Sequence, residues 1–341
     1  MKKIILLGLM TLFLFSGCGR VNTQQLLEEF KEQVAKSKAY EIQGTMEIIS
    51  DEETFKYDIT VAHKQDDFYR VSLINRTNNH EQLILKNNEG VYVVTPSLNK
   101  SFKFQSEWPR SSSQAYLLSS LVTDLEREGR GELTASDDGF EIMAKVNYPN
   151  NPDLTDERIH FDKDMNLRKV EVLNSEGRVR IVVNFNKINF RADFPDEHFS
   201  LNSVIDENLN NDEEEKEEKE ERETSRLQDI FYPLYVPVNT YLTGKEVVSI
   251  TGGERAILTF GGESSFILVE ETSRRRDQME IIPVHGEPLM LNDTIGALSR
   301  NSLQWSKNNV EYFLTSDTLT TNQLMNIAKS LQIAIPVSGL K

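Results

Sequence analysis

The stretch YEIQGTMEIISDEETFKYDITV, residues 40–61, decides the fold. Tyr40, Ile42, Gly44, Met46 and Ile48 alternate with Glu41, Gln43, Thr45 and Glu47; then Phe55, Tyr57, Ile59 and Val61 alternate with Lys56, Asp58 and Thr60. A period of two with one dry side and one wet side marks strands of an antiparallel sheet. Ahead of it, between residues 24 and 36, Leu27, Phe30 and Val34 stand at i, i+3 and i+7 with Leu26 beside them, which predicts a helix with one apolar stripe.

Outward from this hairpin, further short strands are expected at 68–73, 82–85, 91–95 and 102–104, with Asn87-Asn88-Glu89-Gly90 as turn chemistry between the second and third. Residues 112–125 carry Tyr116, Leu117, Leu118, Leu121, Val122 and Leu125, a predicted helix that is apolar over much of its circumference. Such a helix needs burial on a broad front, which a curved sheet wrapped around it would supply. Strands at 140–146, 158–161, 168–173 and 179–185 complete the run.

Composition then shifts. DENLNNDEEEKEEKEERE, residues 206–223, holds 11 acidic and 3 basic residues, a net of -8. It has no apolar face with which to offset its ordering entropy, so it reads as a tether between domains or, alternatively, as an acidic docking segment for a basic partner. The chain is therefore divided into 1–17, 18–202, a linker at 203–228, and 229–341, the two larger pieces each long enough to bury a core of its own. In the last piece, residues 231–238 carry prolines suited to an edge or extended start, and strands are expected at 256–260, 265–270, 279–283 and 310–314. Thr320 with Gln323 fits a capping box, followed by a helix whose buried stripe is Leu324, Ile327, Ala328 and Leu331.

The only cysteine of the 341 residues is Cys18. Lys2 and Lys3, an apolar run from 4 to 15, and Phe15-Ser16-Gly17-Cys18 together read as a signal peptide of the lipoprotein type, with Phe where Leu is usual. The apolar run is shorter than the roughly 20 residues a spanning helix needs. Cys18 is then the lipidation site, its acyl chains (palmitate or similar) holding the protein on the extracytoplasmic face of the cell membrane. An ordinary signal peptide with an incidental cysteine is the other reading. A single thiol leaves no disulfide framework and no cysteine-based zinc site.

The formal charge is -16, and -18 without residues 1–17, which argues against nucleic acid as a partner. His63, His80, His160, His198 and His285 form no HExxH or HxH pair, and Gly262-Glu263-Ser264-Ser265-Phe266 misses a nucleophile elbow because Phe266 replaces the second glycine. No catalytic residues, metal site or cofactor are expected. Arg274, Arg275 and Arg276, on an expected hairpin tip, are a candidate contact for an anion or a protein partner, or simply a solvated turn.

The leading helix, Ser37 to Gly44 (SKAYEIQG), Phe68-Tyr69-Arg70-Val71, Asn88 to Pro96 (NEGVYVVTP) and Phe102 together resemble the LolA-like lipoprotein-carrier superfamily over about the first 200 residues. The stretch from Ile84 to Leu125, with FKFQSEWP at 102–109, looks more specifically like the sporulation and germination lipoproteins of spore-forming bacteria. That resemblance implies an α+β fold, an unclosed antiparallel half-barrel sheet with helices in its concave face, followed by a small antiparallel β-rich domain with a C-terminal helix. It also implies a cavity for acyl chains, with Arg70 placed as its gate; as an edge or surface arginine Arg70 needs no such role. Tyr57, Phe68, Tyr92, Phe102 and Trp108 are candidates for its lining, or plain core.

The last piece resembles a small domain of unknown function found at the C-terminus of bacterial envelope and anti-sigma-type proteins, through Leu303-Gln304-Trp305, Glu311-Tyr312-Phe313-Leu314 and the helix from Leu324 to Leu331. The expectation is a non-catalytic, membrane-anchored lipoprotein that docks a partner protein or lipid in sporulation or germination, with a peptidoglycan-processing enzyme as the implied partner class. The alternatives are a lipid or lipoprotein carrier and an unrecognised cell-wall hydrolase. Replacing Cys18 by serine is expected to release the protein from the membrane fraction of cells; undiminished membrane retention would contradict lipidation.

Overall fold

The computed structural model describes residues 23–51, 53–207, 227, 229–307 and 309–333. Cys18, its leader and the acidic run beyond Glu207 lie outside the described residues. Helix α1 spans Thr23–Lys36 and is followed by strands β1 (Ala39–Ile49), β2 (Thr54–Lys64), β3 (Phe68–Asn75), β4 (His80–Asn87), β5 (Gly90–Thr95) and β6 (Lys100–Phe104). Helix α2 (Leu118–Leu125) separates these from β7 (Thr134–Ser136), β8 (Gly139–Lys145), β9 (Leu154–Asp162), β10 (Leu167–Asn174) and β11 (Val179–Asn189). Residues 201–207 are helical (α3).

The later part holds β12 (Phe231–Pro233), β13 (Thr240–Ile250), β14 (Gly253–Gly262), β15 (Phe266–Thr272), β16 (Glu280–Val284), β17 (Gly286–Met290), β18 (Ile295–Ser299), β19 (Ser302–Lys307), β20 (Val310–Thr315), α4 (Thr321–Lys329) and β21 (Leu331–Ile333). The expected capping box is present: Thr320 Oγ1 accepts from the Gln323 amide, and the Gln323 side chain accepts from the Thr320 amide.

Strands β1 to β11 form one open sheet in the order β6-β5-β4-β3-β2-β1-β11-β10-β9-β8-β7. Alternation sends Tyr40, Ile42, Tyr57, Ile59, Val61, Val71 and Val93 to the inner face, where Leu26 and Phe30 of α1 and Leu118, Leu121 and Leu125 of α2 complete one buried core. The sheet curls around them. Ile84 of β4 and Leu154 of β9 line a single cavity, although six strand spacings would hold them about 29 Å apart in a flat sheet. The α+β half-barrel with helices in its concavity is thus the observed architecture.

The expected helix over 112–125 begins only at Leu118. The preceding residues are diverted by hydrogen bonds that compete with the helix: the Ser113 amide donates to Asn147 O at 2.7 Å, Ser113 Oγ to Asp124 Oδ1 at 2.9 Å, and the Gln114 amide to Ser120 Oγ at 2.7 Å.

The two larger pieces share a sheet and a core. Strands β13 to β20, except β16, form a seven-stranded sheet packed on α4 around Leu268, Trp305, Tyr312, Leu314 and Leu324. Strand β16 leaves that sheet and pairs in parallel with β6, Ile282 opposite Phe102. Val284, Ile295 and Ala297 join the half-barrel's core. Around the seam, Gln82 Oε1 accepts from the Ile295 amide at 2.6 Å and from Thr294 Oγ1 at 3.1 Å, and Tyr57 donates to Asn292 O at 3.1 Å.

An ion network closes the seam. Lys100 Nζ lies 2.7 Å from Glu311 Oε2, and Arg276 grips both oxygens of the same carboxylate while also pairing with Glu280. Burial pushes the Glu311 carboxyl up, but the Arg276 hydrogen bond and the Lys100 ammonium outweigh it and hold the group below its ordinary value. The arginine run is therefore no hairpin tip: it is the crossing between β15 and β16, with Arg274 donating to Thr251 O and Arg276 committed to the seam.

One buried charge works the other way. Glu157 points into the inner core with both carboxyl oxygens unpartnered, near Asp124, whose Oδ2 is also unpartnered. Burial, reinforced by Asp124, drives the Glu157 pKa far above its ordinary value.

Two predictions follow from these charges. Glu311→Gln strands the buried Lys100 cation in the seam, while Arg276 keeps Glu280, and should lower stability by about 3 kcal/mol, read by denaturant unfolding. Glu157 is protonated when folded and ionises on unfolding, so its contribution is full below the unfolded pKa and is lost as pH rises. Glu157→Gln should consequently raise the thermal midpoint at pH 8 and leave it nearly unchanged at pH 4; equal shifts at both would contradict the protonated state.

Candidate functional site

A cavity of about 430 Å³ opens between the half-barrel and the later part of the chain. Its floor is the inner face of the sheet, with Ile48 from β1, Ile84 from β4 and Ile181 from β11 presented by the same alternation that builds the core. Trp108, Tyr116 and Tyr148 form one wall. The facing wall is Leu289, Met290, Leu291 and Ile295, from β17, the turn after it and β18, together with Met325, Asn326 and Lys329 of α4. Apolar walls with a set of polar and charged residues among them are the usual composition of a small-molecule site of this size.

The charged lining residues are divided between the two parts of the chain. On the half-barrel rim Arg180 pairs with Asp51 at 2.6 Å, and Asp153 accepts from Ser175 Oγ at 2.7 Å. Tyr116 donates to Gln114 at 2.8 Å, and burial pushes its phenol, like that of Tyr148, well above the ordinary range. Lys329 is partly buried, and burial pulls its ammonium pKa down.

The expected cavity residues separate by parity. Trp108 lines the cavity, its ring edge-on to Tyr69 at 5.7 Å. Tyr57 and Phe102 lie in the inner core, Tyr57 at the seam and Phe102 beneath Lys100. Arg70, Phe68 and Tyr92 project from the opposite, outer face and line no part of the cavity. Phe68 packs on Phe199 at 5.7 Å, and Tyr92 joins Leu83, Leu85 and Val204 in a separate outer cluster under α3.

Arg70 cannot gate the concavity from there. It donates to His198 O at 3.3 Å and pairs with Glu207, pinning α3 to the outside of the sheet. The reason is alternation itself: Arg70 stands between Tyr69 and Val71, both of which point inward. Reasoning from the sequence missed the second wall. Met325 and Lys329 stand at i and i+4 beside the recognised stripe of α4, so their shared face was available as a signal, but nothing local says that this face meets the half-barrel.

No profile of a known protein family matches the chain. The Sporulation protein YdcC of Bacillus subtilis (strain 168) is 34% identical over 339 residues, which cover 97% of this chain and 98% of that protein. Among solved structures, MucB with MucA from Pseudomonas aeruginosa shares 14% identity over 91% of this chain and 98% of the other, with a TM-score of 0.31. The GerS lipoprotein in complex with the CwlD amidase of Clostridioides difficile shares 16% over 50% and 95%, at 0.29. The LolA superfamily protein NE2245 of Nitrosomonas europaea shares 14% over 54% and 99%, at 0.30. At such scores the superpositions carry no argument of their own. Full-length correspondence at 34% identity does: the chain belongs to the family of the sporulation protein YdcC.

Proposed function

We propose that the chain is a lipid-anchored protein of the bacterial envelope that acts in sporulation by contact with a partner protein, without catalysis of its own. The sporulation role is supported by the YdcC relative, matched along almost its whole length. The anchor is supported by Cys18 behind its short apolar leader. Among the described residues no helix is long and apolar enough to cross a membrane. The contact reading fits the engagement of two of its five histidines: His63 Nδ1 meets Phe68 O at 3.0 Å, and His160 lies 3.1 Å from Glu171 and 3.7 Å from Glu141, which are structural partners.

The observation that carries the contact reading is β13. It is an eleven-residue edge strand of the seven-stranded sheet; seven of its residues are exposed and none is buried. Tyr241 is 64% exposed and Val247 47%, and Val238, just before the strand, is 82% exposed. A long exposed edge strand offers unpaired backbone donors and acceptors to an incoming strand. The partner class implied by the resemblance to germination lipoproteins is a peptidoglycan-processing enzyme working at the same membrane face.

In a strain lacking the native gene, Val247→Lys is expected to keep the protein's thermal midpoint and membrane attachment but to lower the yield of germination-competent spores, because an edge contact weakened by about 1.4 kcal/mol binds its partner about tenfold less tightly. Thr134→Lys, on the exposed edge strand β7 at the far end of the larger sheet, should leave the yield unchanged. Native spore yield with Val247→Lys would contradict the reading.

A further inference from the structure

Strand β13 carries two opposite charges side by side and on opposite faces. Lys245 stands across from Leu258, a residue of the second core, and Glu246 across from Ile257, so the lysine lies on the inner side of the sheet and the glutamate on the outer side. Both are exposed. Among the described residues the Glu246 side chain has no hydrogen-bond or ion-pair partner, and the Lys245 ammonium meets no carboxylate within 4 Å, lying instead 5.5 Å from the centre of the Tyr232 ring. Inside the same sheet such charges are paired across the ladder: Arg255 of β14 stands opposite Glu271 of β15, and the two meet at 2.6 Å. Strand β13 is the last in the order and has a neighbour on one side only.

The two charges sit in a stretch of fixed register. From Gly244 to Ile250 the ladder with β14 runs without a slip, and Val247 and Val248 follow the charges. An incoming strand therefore meets, in order, a small residue, a positive charge, a negative charge and two apolar residues. A second copy of this chain fits that order badly. A two-fold axis through Lys245 or Glu246 would set like charges directly opposite, and each copy carries a formal charge of -16. The ladders of the seven-stranded sheet are antiparallel, which is also the stronger geometry for an added strand.

We propose that β13 selects its protein partner by charge: the added strand runs antiparallel and carries, from its N-terminal side, two apolar residues opposite Val248 and Val247, a basic residue opposite Glu246 and an acidic residue opposite Lys245. This rests on the reading of β13 as the contact edge and names the partner's chemistry. Backbone pairing supplies an affinity common to all strands, and the two charges supply the choice among them. Opposite charges directly across a ladder attract and like charges repel, so a strand with the two charges exchanged is disfavoured at both positions.

The probe is a cyclised, fluorescein-labelled β-hairpin with one pairing strand that reads TTVVRET, its other strand blocked by N-methylation; a second hairpin reads TTVVERT. Binding to the detergent-solubilised full chain is followed by fluorescence anisotropy. The first hairpin is expected to bind about tenfold more tightly than the second, and Val247→Lys to weaken both. Lys245→Glu combined with Glu246→Lys should invert the preference at an unchanged thermal midpoint, an outcome that a loss of fold does not produce. Equal binding of the two hairpins to the native chain, with Val247→Lys still weakening both, would overturn the charge selection and leave β13 as the contact edge. A preference that survives the double reversal would also overturn it. Refusal of both hairpins, the result expected if the charges only blunt the edge against any added strand, would remove the contact edge and the proposal together.

Discussion

An open sheet has edges, and the fold turns on how one of them is covered. Left bare, β6 would present a row of unpaired backbone groups over an apolar inner face. Strand β16 supplies the missing ladder, departing from its own sheet to lie in parallel with β6. Because a parallel partner cannot arrive by a tight turn, it comes from far along the chain and brings the whole later part with it. The Glu311 carboxylate between Lys100 and Arg276, and the Gln82 amide clasping the Ile295 backbone, then hold one arrangement of the seam. The cavity, its second wall and the position of Lys329 are consequences of that single crossing.

Charge follows burial in three different ways. At the seam, Lys100 and Arg276 share the Glu311 carboxylate and Glu280 completes the balance of charge. In the inner core, Glu157 is withdrawn without a partner and takes up a proton instead, so the helix-bearing face stays neutral. At the second sheet Glu270 is intermediate: buried, pushed up to about 7, and accepting the Phe231 amide at 3.0 Å, it anchors the backbone where the chain enters that sheet. Each solution removes an uncompensated charge from low dielectric, and Lys329 is the exception left at the cavity.

Much of the half-barrel was legible because its strands have one wet and one dry face. The alternation from Tyr40 to Val61 placed β1 and β2 to within two or three residues. The same rule, applied to Tyr69-Arg70-Val71, would have sent Arg70 outward; the resemblance to carriers obscured what parity already stated. The strand β13 went unread for a physical reason. It is exposed on both sides and its register slips between Leu242 and Gly244, so it shows no period. The turns over 112–117 depend on Asn147 and Asp124, distant in sequence, and the segment 279–283 was read as a strand without any sign of which sheet would receive it. Local pattern encodes faces, whereas the cavity depends on which edge meets which.

Amide hydrogen exchange on β16 tests that dependence most directly. If the later part of the chain is fastened through this strand, the amides of residues 281–284 that face β6 exchange as slowly as those of the central pair β1 and β2, and they open together with β6. Exchange at the rate of the bare edge β13, while β1 and β2 stay protected, would mean that the crossing is not held in solution and that the cavity has no second wall.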